Sequence, residues 1–209
     1  MLDSVNTFTN LLASDSVLNR HSLNDNEFKI RGTIDNDKNM AFYTLGDQTS
    51  EYAIDGYRVS TKKLGFGIDK RMRPSWLIGF SISKAETSMY GNDASGALEK
   101  DIVTAYSYNS VKNWLFKSEL GYASNRYTTG HTLPALGYSN RAVANGVDYW
   151  LSTRAYSPDY KGLRPFVGAR VERNSRDAVT ETGSALTAVN FAALNATRST
   201  GEYGIRFDR

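Results

Sequence analysis

Hydrophobic and polar residues alternate along most of the chain from residue 40 onward. Within residues 76–83, for example, Trp76, Ile78, Phe80 and Ile82 alternate with Leu77 and small residues. Successive side chains of a β-strand point to opposite faces, so this spacing predicts strands with one apolar face and one small or charged face. Other positions assigned to the apolar face are Leu64, Phe66, Ile68, Ile102, Thr104, Tyr106, Tyr108, Trp114, Phe116, Leu120, Tyr122, Val147, Tyr149, Leu151, Thr153, Val167, Ala169, Val171, Tyr203, Ile205 and Phe207.

The alternating segments amount to about nine strands. The first is predicted near residues 40–46, and a weak one near 186–194 precedes the last. The connections between them alternate in length. Short turns are predicted at residues 72–75, 109–113 and 158–162, and longer polar loops near 90–99, 130–140 and 174–184. Short turns at one end and long loops at the other are typical of an up-and-down antiparallel barrel that crosses an outer membrane, whereas the links of a β-sandwich need not alternate this way.

Strand length and aromatic placement favour a membrane barrel over a soluble β-domain. The predicted runs 57–70, 75–90 and 114–128 exceed the roughly 9 to 11 residues that cross the hydrocarbon layer. Aromatic residues lie at the ends of these runs, where interfacial girdles are expected. The predicted interfacial aromatics are Tyr57, Trp76, Tyr90, Tyr108, Trp114 and Tyr127. Alternation alone leaves the soluble domain open, because both structures have one apolar face.

Charged residues of both signs fall on the face opposite the apolar one. Such a face suits a hydrated barrel lumen, where charge pairs brace the wall beside a polar passenger. The alternative is a solvent-exposed sheet face with ordinary cross-strand pairs. The predicted lumen-lining residues are Asp69, Lys117, Glu119, Asp148, Arg154, Arg170, Glu172, Glu202 and Arg206.

The first 39 residues follow a different pattern. Residues 3–20 carry apolar side chains near helical spacing and are rich in Asn, Ser and Thr, which predicts a short polar helix suited to a hydrated pore or to the protein surface. Residues 21–39 are polar with little periodicity and are predicted to be a linker. Residues 1–10 lack the basic and apolar regions of a signal peptide.

Composition narrows the chemistry. The chain has 13 Tyr, 9 Phe and 3 Trp but no Cys and only two His, so we expect no catalytic, metal or cofactor residues. Its net charge of +3 argues against a nucleic-acid partner. No window approaches 18 consecutive apolar residues, which excludes a transmembrane helix.

Several segments together resemble autotransporter translocator barrels, the C-terminal domains of type V secretion. Residues 57–69 read YRVSTKKLGFGID and residues 76–83 read WLIGFSIS, similar to the opening motifs of that barrel. Later strands of the family are similar, in the same order, to WLFKSELGY at 114–122, LRPFVG at 163–168 and ETG at 181–183. The resemblance covers residues 40–208.

The resemblance implies a 12-stranded barrel in the bacterial outer membrane. In this fold the N-terminal segment, residues 1–39, supplies a pore helix and linker, and residues 40–209 supply about nine of the 12 barrel strands. The chain is therefore expected to be a fragment of the barrel or to be completed by another chain, such as an assembly factor. About 12 strands leaves a bore near one helix diameter, about 10 to 12 Å. The implied function is export and anchoring of an upstream passenger, with outer-membrane lipid and the barrel assembly machinery as partners and without a cofactor. A small closed barrel acting as adhesin or porin, and a soluble carbohydrate-binding β-domain, remain as alternatives.

Overall fold

The computed structural model describes residues 28–33, 40–52, 58–91, 94–158, 160–161 and 163–207. The predicted helix at residues 3–20 lies outside this part of the chain. The described elements in chain order are β1 (Phe28–Thr33), β2 (Met40–Tyr52), β3 (Arg58–Arg73), β4 (Trp76–Tyr90), β5 (Ala94–Val111), β6 (Trp114–Leu133), a 3-10 turn at Pro134–Leu136, β7 (Tyr138–Tyr156), β8 (Leu163–Arg176), β9 (Val179–Thr180), β10 (Thr182–Gly183), β11 (Asn190–Phe191) and β12 (Leu194–Phe207).

Nine of these strands form one continuous antiparallel sheet. Its order is β1-β2-β3-β4-β5-β6-β7-β8-β12, so every strand pairs with its neighbour in sequence apart from the three two-residue strands between β8 and β12. Lengths from β2 to β8 run from 13 to 20 residues, well above the mode of about 5 to 6 in globular proteins. The up-and-down antiparallel arrangement predicted from the alternation is therefore confirmed.

The predicted strand positions need two corrections. Strand β1 lies within residues 21–39, which were predicted to be a linker. Residues 186–194, predicted to be a weak strand, instead hold part of a turn and the two-residue strand β11, and the long strand begins only at Leu194. The described sheet has nine long strands, as predicted, only because two errors cancel. Strand β1 was not predicted, and the strand predicted at residues 186–194 is not one of the nine.

The short turns lie at one end of the sheet and match the prediction. Lys112 and Asn113 connect β5 to β6 with φ angles of 49° and 68°, the positive values that a two-residue type I′ hairpin turn requires. The β3–β4 turn and the connection after β7 lie at the same end. The opposite end differs from the prediction at two places. Strands β5, β6 and β7 occupy most of residues 90–99 and 130–140, which were predicted to be long loops.

The sheet has two unlike faces, which we call inner and outer. On the inner face the side chains are mostly buried or half-buried, and on the outer face they are mostly exposed. Large inner aromatics lie over glycines on the neighbouring strand: a side chain at Gly121 would overlap the indole ring of Trp150, its cross-strand partner. Tyr106 covers Gly79 and Phe166 covers Gly204 in the same way. Aromatic rings that fill glycine positions pin the register of a curved sheet.

No helix in the described part of the chain has the length and apolarity to cross a membrane.

Candidate functional site on the inner face

Charged side chains cover the inner face over the half of the sheet that carries the short turns. Eight of the nine predicted lumen-lining residues lie on this face: Asp69, Lys117, Glu119, Asp148, Arg154, Arg170, Glu172 and Glu202. Arg206 pairs in register with Arg164 of β8, and its side chain lies outside the described part. That these residues line a lumen stays a prediction, which the shared face supports.

Ion pairs tie the inner side chains to one another across strands. The guanidinium of Arg154 on β7 binds the carboxylate of Glu202 on β12 through both Nε and Nη2, with Nη2 2.8 Å from Oε2. Gly168 of β8 lies between the two in register, and a side chain there would collide with Glu202. A two-point Arg–carboxylate contact is the strongest geometry for such a pair, so it bridges the β7–β8–β12 edge of the sheet.

A second cluster lies at mid-height on β6, β7 and β8. Trp150 Nε1 donates to Glu119 Oε1 at 2.8 Å, and Lys117 Nζ lies 3.5 Å from Glu119 Oε2. The Arg170 guanidinium lies over the Trp150 ring at 5.3 Å from its centroid and donates from Nε to Glu172 Oε2 at 2.8 Å. The indole therefore connects two ion pairs, and the five side chains form one fixed polar surface.

The third cluster is the most buried. Lys100 Nζ on β5 reaches across β6 to Asp148 Oδ2 on β7 at 2.8 Å, and the two residues are only 5% and 4% exposed. Asn174 Nδ2 on β8 donates to the other oxygen, Asp148 Oδ1, at 3.0 Å. Since a buried charge is stable only when paired and hydrogen-bonded, Asp148 ties β7 both to the adjacent strand β8 and to β5, which lies two strands away in the sheet. Lys100 was not among the predicted lumen-lining residues, because the positions assigned to this strand from the alternation began only at Ile102.

Two predicted interfacial aromatics prove to lie on the inner face. Tyr108 faces inward with Tyr106, and the Lys117 ammonium lies 5.7 Å from the Tyr108 ring centroid. Tyr106 itself donates from its hydroxyl to Asp69 Oδ2 at 3.3 Å. Tyr127 is buried within an inner apolar cluster. These contacts contradict an outer position for Tyr108 and Tyr127, and the assignment of Ile102, Thr104, Tyr106 and Tyr108 to the outer apolar face is wrong.

The inner face becomes apolar toward the end with the longer connections. Its buried cluster comprises Val59, Met89, Leu98, Tyr127 and Ala144, and Val179 from the β8–β12 loop (residues 177–193) packs against it. At this height the outer face carries charges instead, including Glu86, Glu99 and Arg126. The polarity of the two faces is therefore reversed relative to the half of the sheet at the short turns.

A buried carboxylate fastens the β8–β12 loop to the inner face. Glu181 is 5% exposed, and its Oε1 lies 2.9 Å from His131 Nδ1 on β6 while its Oε2 accepts from the Val189 backbone N–H at 3.0 Å. The buried Asn140 of β7 donates from Nδ2 to Thr187 Oγ1 at 2.8 Å, and strand β10 pairs with β7. His131 falls within residues 130–140, which were predicted to be a loop, but it lies on β6 and holds the β8–β12 loop in place.

The outer face carries an apolar band bordered by aromatics. Trp76 and Trp114 lie on it beside the short turns, and Tyr122 and Tyr149 lie at the other border with ring centroids 5.2 Å apart. Eight residues separate Trp114 from Tyr122, which is about 27 Å along the strand and about 20 Å along the normal of a strand tilted by about 40°. This height is close to the apolar band of about 25 Å on outer-membrane barrels. Exposed apolar side chains within the band include Leu64, Phe66, Ile78, Phe80, Ile82, Val103, Phe116, Leu120, Leu151, Val167, Val171 and Ile205.

Only some of the predicted interfacial aromatics lie at a border of the apolar band. Trp76 and Trp114 lie at a border of the band, whereas Tyr90 lies on the outer face far beyond it, eight residues from Ile82 on β4. Tyr57 lies outside the described residues. The second border is formed by Tyr122 and Tyr149, which the strand pattern placed on the correct face but not at an interface. Their interfacial role remains a prediction.

Among the described residues, no group of three His, Asp or Glu side chains is placed to hold a metal ion.

Long up-and-down strands with an apolar outer band and a charged inner face define the wall of an outer-membrane β-barrel. The sequence matches the family of the autotransporter beta-domain over residues 40–209, and the chain therefore belongs to this family. It is an outer-membrane translocator domain. The fold is similar to the translocator domain of the autotransporter NalP from Neisseria meningitidis, with a TM-score of 0.72 and 16% identity over 98% of this chain and 71% of that one. No curated protein matches the sequence.

Proposed function

We propose that this domain exports an upstream passenger segment through a pore lined by the inner charged residues and then anchors it in the outer membrane. The observation that carries the proposal is the division of the sheet into an apolar outer band and an inner face of paired charges, supported by the family membership. The segment before β1 supplies the pore helix and linker in this proposal, and the strands from β1 (Phe28–Thr33) onward form the barrel wall. The domain acts as pore and anchor and performs no chemical reaction.

The paired charges suit transport of a polar chain. The clusters around Arg154, Glu119 and Asp148 hold both signs, and each is tied to its partner at 2.8 to 3.5 Å. A surface of fixed, mutually satisfied ion pairs offers hydrogen bonds to a passing segment without one strong field that would retain it. In this proposal the outer band contacts lipid, and the barrel assembly machinery inserts the domain, holding the strand edges of β1 and β12 that have one neighbour each among the described strands.

Site-specific crosslinking during export tests the proposal. Because the chain has no Cys, Ser152→Cys on the inner face and the adjacent Thr153→Cys on the outer face form a matched pair in the full-length protein. A passenger stalled in transit should crosslink through residue 152 and not through residue 153. Equal crosslinking at both positions, or crosslinking at residue 153 alone, would contradict export along the inner face.

A further inference from the structure

A polar groove lies beyond the apolar band, at the end of the sheet with the longer connections, and most of the residues that line it belong to the outer face. It encloses about 450 Å³, within the range of about 300 to 1,000 Å³ that small-molecule sites occupy. Strands β4, β5, β6 and β7 form it, and most of its outer-face lining residues are small or carry hydroxyls, including Ser95, Thr128, Gly130 and Ser139. Tyr90 and Arg141 line its two sides.

Strand register places these two large side chains on either side of a flat floor. Tyr90 pairs with Ser95, Ser95 with Gly130, and Gly130 with Arg141. Three strand spacings of about 4.8 Å put the tyrosine and the arginine about 14 Å apart across the strands. Tyr90 is 61% exposed, and Arg141 is exposed as well. Within the part of the chain that the structure describes, neither side chain has a protein partner.

This combination matches the chemistry of an anionic oligosaccharide. The face of an exposed tyrosine ring is apolar and packs on the C–H face of a sugar, while its hydroxyl stays in water. Serine and threonine hydroxyls both donate and accept hydrogen bonds, as sugar hydroxyls do. A guanidinium without a partner binds phosphate or carboxylate in a two-point geometry. A floor without large apolar side chains offers little to an apolar ligand.

The distance of the groove from the apolar band indicates which part of the membrane surface lies beside it. Tyr90 lies eight residues beyond Ile82, the last apolar outer residue of β4. That separation is about 27 Å along the strand and about 20 Å along the membrane normal. The polar region of each leaflet adds only about 5 to 8 Å to the hydrocarbon core, so the groove lies at the level of the sugars carried by the outer-leaflet glycolipid.

We propose that the groove binds the phosphorylated or carboxylated core oligosaccharide of the glycolipid that surrounds the barrel. This inference rests on the outer-membrane location and on the orientation with the longer connections outside. It is independent of how the passenger is exported.

The test uses protein purified from outer membranes in detergent, with binding of lipid-free, phosphorylated core oligosaccharide measured by calorimetry. Tyr90→Ala and Arg141→Gln should each weaken binding at least tenfold. The control Arg173→Gln removes an exposed outer-face arginine of β8 outside the groove and should change binding less than twofold. Because all three side chains are exposed, unchanged heat-modifiable migration is expected and confirms that the variants are folded.

Two further arms identify the ligand and its source. Enzymatically dephosphorylated oligosaccharide should bind the unaltered protein as weakly as the phosphorylated form binds the Arg141→Gln variant. If carboxylates supply the charge instead, chemical reduction of the carboxyl groups should weaken binding to the same extent. The amount of intact glycolipid that co-purifies with the protein should be lower for the Tyr90→Ala variant than for the unaltered protein. Absent binding, or equal losses in the control, would overturn the site. Binding of free oligosaccharide without change in bound glycolipid would overturn the assigned source. If passenger export is normal when either of these results is obtained, the groove proposal fails while the proposed export function stands.

Discussion

The buried pair of Lys100 and Asp148 provides the sharpest stability prediction. Replacing Asp148 by Asn keeps the side-chain size and removes the charge that faces Lys100 Nζ at 2.8 Å. Lys100 would then hold a charge at 5% exposure without the carboxylate of Asp148. Removal of one partner from a buried ion pair costs about 3 to 5 kcal/mol. We expect about 3 kcal/mol for Asp148→Asn, because the amide oxygen can still accept the hydrogen bond from Asn174.

Urea unfolding of the domain from lipid vesicles measures this cost. The three Trp residues of the chain report the transition, and a loss of 3 kcal/mol lowers the folding equilibrium constant by about two powers of ten. The control Asp101→Asn removes an exposed carboxylate from the outer face of β5 and should change stability by less than about 0.5 kcal/mol. The double variant Lys100→Met with Asp148→Leu should recover most of the stability, because apolar pairs of similar volume often replace buried ion pairs without loss.

A loss below about 1 kcal/mol in Asp148→Asn, or a loss equal to that of Asp101→Asn, would contradict a stabilising role for the buried ion pair. It would mean that the inner face at this height is wet enough to solvate Lys100, contrary to its burial.

Three further variants test other parts of the structure. Gly121→Val should displace the Trp150 ring and lower the fraction of heat-modifiable, folded protein, whereas Gly201→Val, where no atom lies within 4 Å of the added carbon, should assemble normally; equal assembly would count against ring packing. Glu181→Ala should free residues 177–193 and speed their proteolysis at least tenfold, and an unchanged cleavage rate would show that the carboxylate does not hold the loop. Phe80→Arg should destabilise the domain by about 2 to 4 kcal/mol in vesicles, and a neutral result would contradict a lipid-facing position.

Much of this architecture could be predicted from the period-two alternation. Each membrane-spanning strand presents one apolar face to lipid, so its apolar residues fall at every second position. The alternation assigned Glu119, Asp148 and Arg154 to the inner face by their charge alone. It failed at β5, where the outer residues Ala105 and Ser107 are much smaller than the inner Tyr106 and Tyr108 and therefore do not mark an apolar face. Tyrosine suits either face when its hydroxyl finds a partner, and the Asp69 carboxylate is that partner.

Beyond the apolar band the alternation inverts, and this inversion explains the error at Tyr127. There water covers the outer face and the inner face packs against the β8–β12 loop, so an apolar residue belongs inside. The same extension of the strands past the bilayer explains why residues 90–99 and 130–140 resembled loops. The contact between His131 and Glu181 joins residues 50 positions apart, and no local pattern could have indicated it.

A cysteine scan of β6 measures directly whether one face of this sheet meets lipid and the other a polar lumen. Single cysteines at consecutive positions from 115 to 120, each introduced into the naturally cysteine-free chain, are reacted with a water-soluble maleimide in intact outer membranes. A lipid-anchored fluorescence quencher then reports contact with the bilayer. We expect strict alternation, with Lys117→Cys and Glu119→Cys labelled and unquenched, and Phe116→Cys and Leu120→Cys quenched and poorly labelled. Labelling that does not alternate, or quenching at residues 117 and 119, would contradict it.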